Sequence, residues 1–335
     1  MEIKELGRAG LVERYKSLLG DFRHSDSKSF GRFNRAAEYL KNGLVSSVMM
    51  MEGVDFDLVY FPLNYLGFKT VTAVSADLYG SGGVPLRLSL VVAVSKRFTV
   101  EDVDFFMKGV REACTFYGID LLFLDFTSSL TGFAIGATVF GEKKTFDIPQ
   151  KAAVTDLVCV TGDLGAAYLG QRLMAREKSA FDDSIDFQPD FAGREYLLER
   201  QLKPVVPFAV IDAAKEAGVE FTSLSVLKGG LSDALYDLAK SSGVGLRIYE
   251  KTLPIDFQTQ RMAEDFGLDP STAALHGGED YQYLFTAPLT AKERLEAVPG
   301  IRAIGFVTEE SGGLKLVGRS GGETAIGPDD FTGND

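Results

Sequence analysis

Apolar and polar positions follow two rhythms along this chain, and each rhythm marks one kind of element. Leu44 to Met51 is an apolar run of strand length, and Leu86 to Val94 alternates with a strand's period of two. Between them, Asn64 to Tyr79 sets Leu66, Val71, Val74 and Leu78 at helical spacing. The clearest helix follows Thr99, a residue able to cap it, with Asp102 in the first turn where an acid favours the helix dipole. Val103, Phe106, Met107, Val110, Cys114 and Tyr117 then form one stripe that belongs to the core. Two strands come next, Leu121 to Leu124 and Phe133 to Phe140, with Thr127 to Gly132 turning between them. Upstream, Glu5 to Leu19 reads as a short amphipathic helix through Leu6, Leu11, Val12, Tyr15, Leu18 and Leu19, and a polar run extends from Gly20 to Arg35.

A polar stretch carrying Pro149 separates this half from a second alternating half, which places a domain boundary between Gly141 and Asp156 and predicts domains over 1–148 and 149–335. Leu157 to Val160 reads as a strand that enters a helix, Ala166 to about Lys178, through Thr161-Gly162-Asp163-Leu164-Gly165. The glycine spacing there is that of a plain strand-to-helix turn more than of a phosphate loop. Further helices are expected at Pro207 to Ala217, Ser232 to Ser241 and Ala291 to Ala297. Strands are expected at Val244 to Tyr249, Tyr281 to Thr286, Ile301 to Val307 and Gly313 to Val317. The class is therefore α/β (α+β), in two domains.

Composition narrows the function. A net charge of −12 with no basic run argues against a nucleic-acid surface. No signal peptide and no apolar span of some 18 residues is present, so the reading is a cytoplasmic protein without a membrane partner. The two cysteines, Cys114 and Cys159, lie in apolar periodic contexts and read as buried thiols. With only two histidines, any metal would be oxygen-ligated and magnesium-like.

Candidate chemistry centres on His276-Gly277-Gly278-Glu279-Asp280-Tyr281. Two glycines permit a tight bend, and two adjacent acids then face opposite ways before an apolar strand. Around it stand Glu52-Gly53-Val54-Asp55-Phe56, Ser75-Ala76-Asp77-Leu78, Leu124-Asp125-Phe126-Thr127, Val160-Thr161-Gly162-Asp163-Leu164-Gly165 and Gly229-Gly230-Leu231-Ser232-Asp233. In this order the motifs resemble the thiamine-monophosphate kinase family of the PurM-like (AIR-synthase-related) superfamily, from about Gly31 to Phe331. The resemblance implies a PurM-like two-domain fold, and a homodimer whose N-terminal mixed sheets join. It also implies an ATP cleft between domains, with Mg2+ neutralising the phosphates during transfer from ATP to thiamine phosphate. It assigns metal binding to Asp77 and Asp125, and substrate contacts to Glu279 and Phe331, with Asp55 at a substrate-contacting position. Ser46, Ser47, Asp125 and Lys228 would line the nucleotide pocket.

Several metal-binding positions of that family are altered here. Its Gly-Asp-Asp-Ala-Ala motif becomes Phe33-Asn34-Arg35-Ala36-Ala37, and its Thr-Thr-Asp motif becomes Ser46-Ser47-Val48. Its Glu-Gly-Val-His-Phe motif keeps Glu52 but carries Asp55 in place of the histidine. Its Gly-Gly-Asp-Thr-Thr motif becomes Phe123-Leu124-Asp125-Phe126-Thr127, and its Asp-x-Ser-Asp-Gly motif becomes Val226-Leu227-Lys228-Gly229-Gly230. An arginine expected before the domain boundary aligns near Pro149. Losing four or five magnesium carboxylates leaves the triphosphate charge uncompensated. The expectation is a non-catalytic, ligand- or partner-binding homologue. Lys228, and in a similar way Arg35, would replace lost metal charge, Lys228 by pairing with Asp77 or Asp125. Whether Phe123, Phe126 and Val48 fill the nucleotide cleft is an observation that separates this reading from a catalytic one. Two alternatives stand beside it: an active thiamine-phosphate kinase with an atypical metal site, and new acid–base chemistry using Glu279, Asp280 or Asp55.

Overall fold

Five strands build the first sheet: β1 (Ala37–Tyr39), β2 (Gly43–Met51), β3 (Gly83–Ser95), β4 (Asp120–Ser129) and β5 (Phe133–Lys143), in the order β1-β2-β5-β3-β4. They belong to a computed structural model that describes residues 37–39, 42–144, 148–180 and 191–327. The helix expected over Glu5 to Leu19, together with Asn34, Arg35 and Phe331, lies outside the described residues. Pairing is antiparallel except between β3 and β4, so the sheet is mixed. β4 runs on through Thr127 and Ser128, which the sequence suggested as turn, because their backbones stay paired with Ala93 and Val94.

Two helices cover one face of this sheet. In α1 (Leu63–Gly80), every residue from Leu66 to Gly80 is buried, the condition of a helix enclosed on all sides. α1 touches β2, β3 and β5 on one side and reaches β7 of the second sheet on another. α2 (Val100–Tyr117) starts in a capping box between Thr99 and Asp102 and ends at Gly118 in the left-handed conformation. The two helices meet backbone to backbone: a Cβ on Gly109 would lie 1.7 Å from the Asn64 carbonyl oxygen, so only glycine fits.

No described element covers the opposite face of the sheet. Residue alternation and cross-strand register put Ser47, Thr138, Ser89 and Phe123 in one row of that face, with Met49, Gly136, Val91 and Asp125 in the next. Met49, Met51, Val91 and Phe123 are exposed there, Met49 to 59%.

The second sheet contains β6 (Leu157–Thr161), β7 (Ser223–Val226), β8 (Gly245–Tyr249), β9 (Tyr283–Ala287), β10 (Ile301–Thr308), β11 (Leu314–Val317) and β12 (Glu323–Ala325). Their order is β12-β11-β8-β10-β6-β9-β7. Its helices are α3 (Ala166–Ala180), α4 (Glu195–Leu202), α5 (Phe208–Glu216), α6 (Leu231–Ser242), α7 (Phe257–Asp265), α8 (Pro270–His276) and α9 (Lys292–Glu296). Six elements, β1, α4, β7, α7, α8 and β12, have no counterpart in the sequence reading. All six are short, and so few residues give too little periodicity to separate helix, strand and loop. β9 begins at Tyr283 and not at Tyr281, because the preceding turn is left-handed at Tyr281, with φ of 52°.

The two halves share one hydrophobic cluster that includes Phe68, Val71 and Tyr79 from the first and Val206, Phe221 and Tyr283 from the second. Tyr79 stacks on Phe208 at 5.4 Å, and the Tyr117 hydroxyl accepts from the Val206 amide at 3.2 Å. Cys159 is buried and Cys114 partly so; both are free, and burial pushes their thiols up to about 12 and about 11. No described helix is long and apolar enough to cross a membrane.

Candidate functional site

The glycine turn is zipped onto the segment that follows β7. The Glu279 amide donates to the Lys228 carbonyl at 2.8 Å, and the Tyr281 amide donates to the Leu227 carbonyl at 2.9 Å. Gly277 fits only because it lacks a side chain, since a Cβ there would lie 2.4 Å from the Ala273 carbonyl oxygen. Glu279 and Tyr281 both take left-handed backbone, φ 59° and 52°, each a cost of roughly 1–2 kcal/mol for a residue with a Cβ. That geometry sends the two acids apart, as the sequence suggested.

Asp280 points inward. Its carboxylate accepts from the Gly165 amide at 2.8 Å and the Ala167 amide at 3.4 Å, at the start of α3. Burial pushes its carboxyl up to about 7, against the opposing pull of Arg200 and the two amides. Nearby, Arg200 donates to the Asp163 carbonyl at 3.0 Å, and burial also raises the Asp163 carboxyl. Asp280 is thus a fastener between the turn and α3.

Glu279 faces the junction of the halves. Its Oε2 accepts from Lys69 Nζ at 2.9 Å and from Gln201 Nε2 at 3.1 Å. Lys69 is 1% exposed and lies 5.1 Å from the centre of the Phe61 ring, whereas Glu279 keeps 33% exposure. A buried ammonium needs such an anion, because leaving it unpaired costs several kcal/mol.

A second pair crosses the same junction with opposite polarity. Lys228 Nζ lies 3.2 and 3.1 Å from the two oxygens of Asp77, and Ser46 Oγ donates to Asp77 Oδ2 at 2.7 Å. Asp77 is 6% exposed and Lys228 17%. Lys69 and Asp77 are the only charged residues of α1, and each finds its counter-charge on the second half. Of the two partners expected for Lys228, Asp77 and Asp125, its ammonium meets Asp77.

Other candidates stand apart. Ser47 is on the uncovered sheet face, bonded to Thr138 at 2.8 Å, because successive residues of β2 point to opposite faces. Asp125 projects from the same open face on edge strand β4, opposite the helix layer that holds Asp77, and accepts from its neighbour's amide, that of Phe126, at 2.8 Å. Phe123 and Phe126 are exposed on β4 and fill no cleft among the described residues, while Val48 is packed against the core. Asp55 closes its own loop by accepting from the Met51 amide at 2.7 Å. Glu52 is likewise structural, accepting from the Phe133 amide at 3.0 Å and pairing with Arg97.

Sequence reasoning overlooked Lys69 and Gln201. The signal for Lys69 was a single cation early in an otherwise apolar helix, which calls for a buried partner. Gln201 carried no signal, since α4 itself was not apparent.

Magnesium binds through carboxylates and several waters in near-octahedral geometry. At Asp77 an ammonium already contacts both carboxylate oxygens, and no group of three potential metal-ligating side chains occurs among the described residues. The residues present at Asp77 do not fit a magnesium cluster.

A family model described as "AIR synthase related protein, N-terminal domain" matches residues 36–142. The chain is 32% identical to the thiamine-monophosphate kinase of Aquifex aeolicus (strain VF5) over 316 residues, covering 93% of this chain and 95% of the relative. It is 26% identical to the Bacillus subtilis (strain 168) thiamine-monophosphate kinase, covering 86% and 88% respectively. The solved structure described as "AaThiL complexed with AMPPCP and TMP" superposes with a TM-score of 0.77 at 30% identity, covering 94% of this chain and 95% of that one. With its two-sheet α/β architecture and near-complete overlap with these relatives, this chain belongs to the thiamine-monophosphate kinase family, on the PurM-like fold.

Proposed function

We propose that this chain is a non-catalytic member of its family that binds a small molecule or a partner in the cleft between its halves. The observation that carries this reading is the Lys228 ammonium held against both oxygens of Asp77. Phosphoryl transfer from ATP needs divalent metal between the phosphates and protein carboxylates. A tethered ammonium supplies one positive charge to Asp77, but it cannot bridge β- and γ-phosphate oxygens as a metal ion does. On this reading Lys228 keeps the scaffold neutral and closed after the metal chemistry has gone.

The substrate side would survive, with Glu279, Asp55 and Phe331 contacting thiamine phosphate or a related molecule. With domains over 1–148 and 149–335, two copies of the chain would pair as a homodimer through their N-terminal domains, by the face bearing Met49, Met51, Val91 and Phe123. Ser47 and Asp125 project from that face and would lie at the seam.

A second reading, an active ATP-dependent thiamine-phosphate kinase with an atypical metal site, is favoured by the 32% identity to a relative of that name. Calorimetry separates the two. Saturable binding of thiamine phosphate without nucleotide, and no binding of Mg-ATP at millimolar concentration, supports the first. Magnesium-dependent binding of ATP supports the second and overturns the first.

A further inference from the structure

The outer face of α2 carries a pattern that the core stripe does not explain. Lys108, Arg111, Glu112, Thr115 and Phe116 follow the 3–4 spacing of one helical face, turned away from buried Phe106, Val110 and Tyr117. On this solvent face Phe116 remains 50% exposed.

That face forms one wall of a cavity of about 670 Å³ against the end of α4 and the following Lys203 to Val205. The volume is in the range of small-molecule sites. Phe68 and Phe116 make its floor, with ring centres 6.2 Å apart and planes tilted by 53°. Lys203 lies 5.0 Å from the centre of the Phe68 ring, and its ammonium bonds Glu112 at 2.6 Å, so these two charges cancel. Lys108, whose ammonium lies 4.6 Å from the centre of the Phe105 ring, and Arg111 remain, with no acid in ion-pair range among the described residues, against a single further acid in the lining, Glu199. The lining is thus net positive in a protein of net charge −12. A net positive wall beside an aromatic floor selects for a flat ring system carrying negative charge.

We propose that this cavity is a second ligand site, separate from the cleft, which takes a small planar aromatic anion. The ring lies on Phe116 and the anionic group meets Arg111 and Lys108. Arg111 supplies a planar fork suited to a carboxylate or a phosphate monoester. The site uses none of the residues at the junction of Lys69, Asp77, Lys228 and Glu279, so it stands whether or not the cleft is catalytic.

The test uses 2-naphthoate as probe on the full-length protein, followed by saturation-transfer NMR and calorimetry. Saturable binding with a dissociation constant of about 0.1–1 mM is expected, weakened about tenfold or more by Arg111→Glu and by Phe116→Ala. Glu199→Gln, which removes the repulsive charge, should tighten it. Neutral 2-naphthamide should bind about tenfold more weakly. Replacing 2-naphthoate with naphthyl phosphate separates preference for carboxylate from preference for phosphate. Because the altered side chains are exposed, circular dichroism should show each variant folded. Three results would overturn the proposal: no saturable binding at about 10 mM, unchanged affinity in Arg111→Glu, or equal affinity for acid and amide.

Discussion

Removing the Lys228 ammonium exposes what it does. Lys228→Met keeps the length and apolar stem of the side chain but leaves the Asp77 carboxylate, 6% exposed, with Ser46 as its remaining side-chain partner. Breaking a buried ion pair at one end costs about 3–5 kcal/mol, most of it from the charge left without compensation. Lys228 retains 17% exposure, which lets water reach the vacated position, so the lower end of that range, about 3 kcal/mol, is expected. The matched double variant, Lys228→Met with Asp77→Asn, removes both charges and should recover most of the loss, because neutral replacement of a whole pair is often nearly free. Urea unfolding of the four proteins closes a double-mutant cycle, with a coupling of about 2 kcal/mol or more expected. A Lys228→Met protein within about 0.5 kcal/mol of the parent would refute the reasoning, since that is the scatter of ordinary surface substitutions.

The reciprocal pair gives an asymmetric expectation: Glu279→Gln leaves the fully buried Lys69 ammonium without a counter-charge and should cost about 3 kcal/mol, whereas Lys69→Met leaves only a one-third exposed carboxylate and should cost less, both read by urea unfolding. Asp280 sets a pH dependence. Its folded-state carboxyl is raised from 3.8 to about 7, so the stability it confers is complete below the ordinary carboxylate range and is lost as pH rises towards 7. Unfolding free energy should fall across that window by up to about 1.4 kcal/mol per pH unit, and Asp280→Asn should flatten the profile. On the open sheet face, Met49→Glu or Val91→Glu should convert a dimer to monomer in light scattering; an unchanged mass would place the subunit contact elsewhere.

Long, strongly patterned elements were legible in the sequence because their burial is one-sided and periodic. α2 is the example: its stripe from Val103 to Tyr117 and its Thr99–Asp102 cap follow from spacing alone. The short α4, α7, α8 and β7 were not legible, since their form is set by neighbours distant in the chain. At the site, the outward and inward divergence of Glu279 and Asp280 followed from the glycine turn, and the Lys228–Asp77 pair followed from a cation replacing a hydroxyl between vanished acids. The separation of Ser46 from Ser47 depends on which face of the sheet each occupies, and that of Asp77 from Asp125 on the helix layer lying against the face opposite Asp125. Motif order along a chain carries no such information; strand register does.

The most direct test is product formation. The purified protein, incubated with Mg-ATP and thiamine phosphate and followed by chromatography, should yield no thiamine diphosphate above the enzyme-free control. Lys228 would then be the cation at Asp77 in place of magnesium. Turnover at roughly 1 s⁻¹ or faster, dependent on magnesium and retained after purification to homogeneity, would contradict the account.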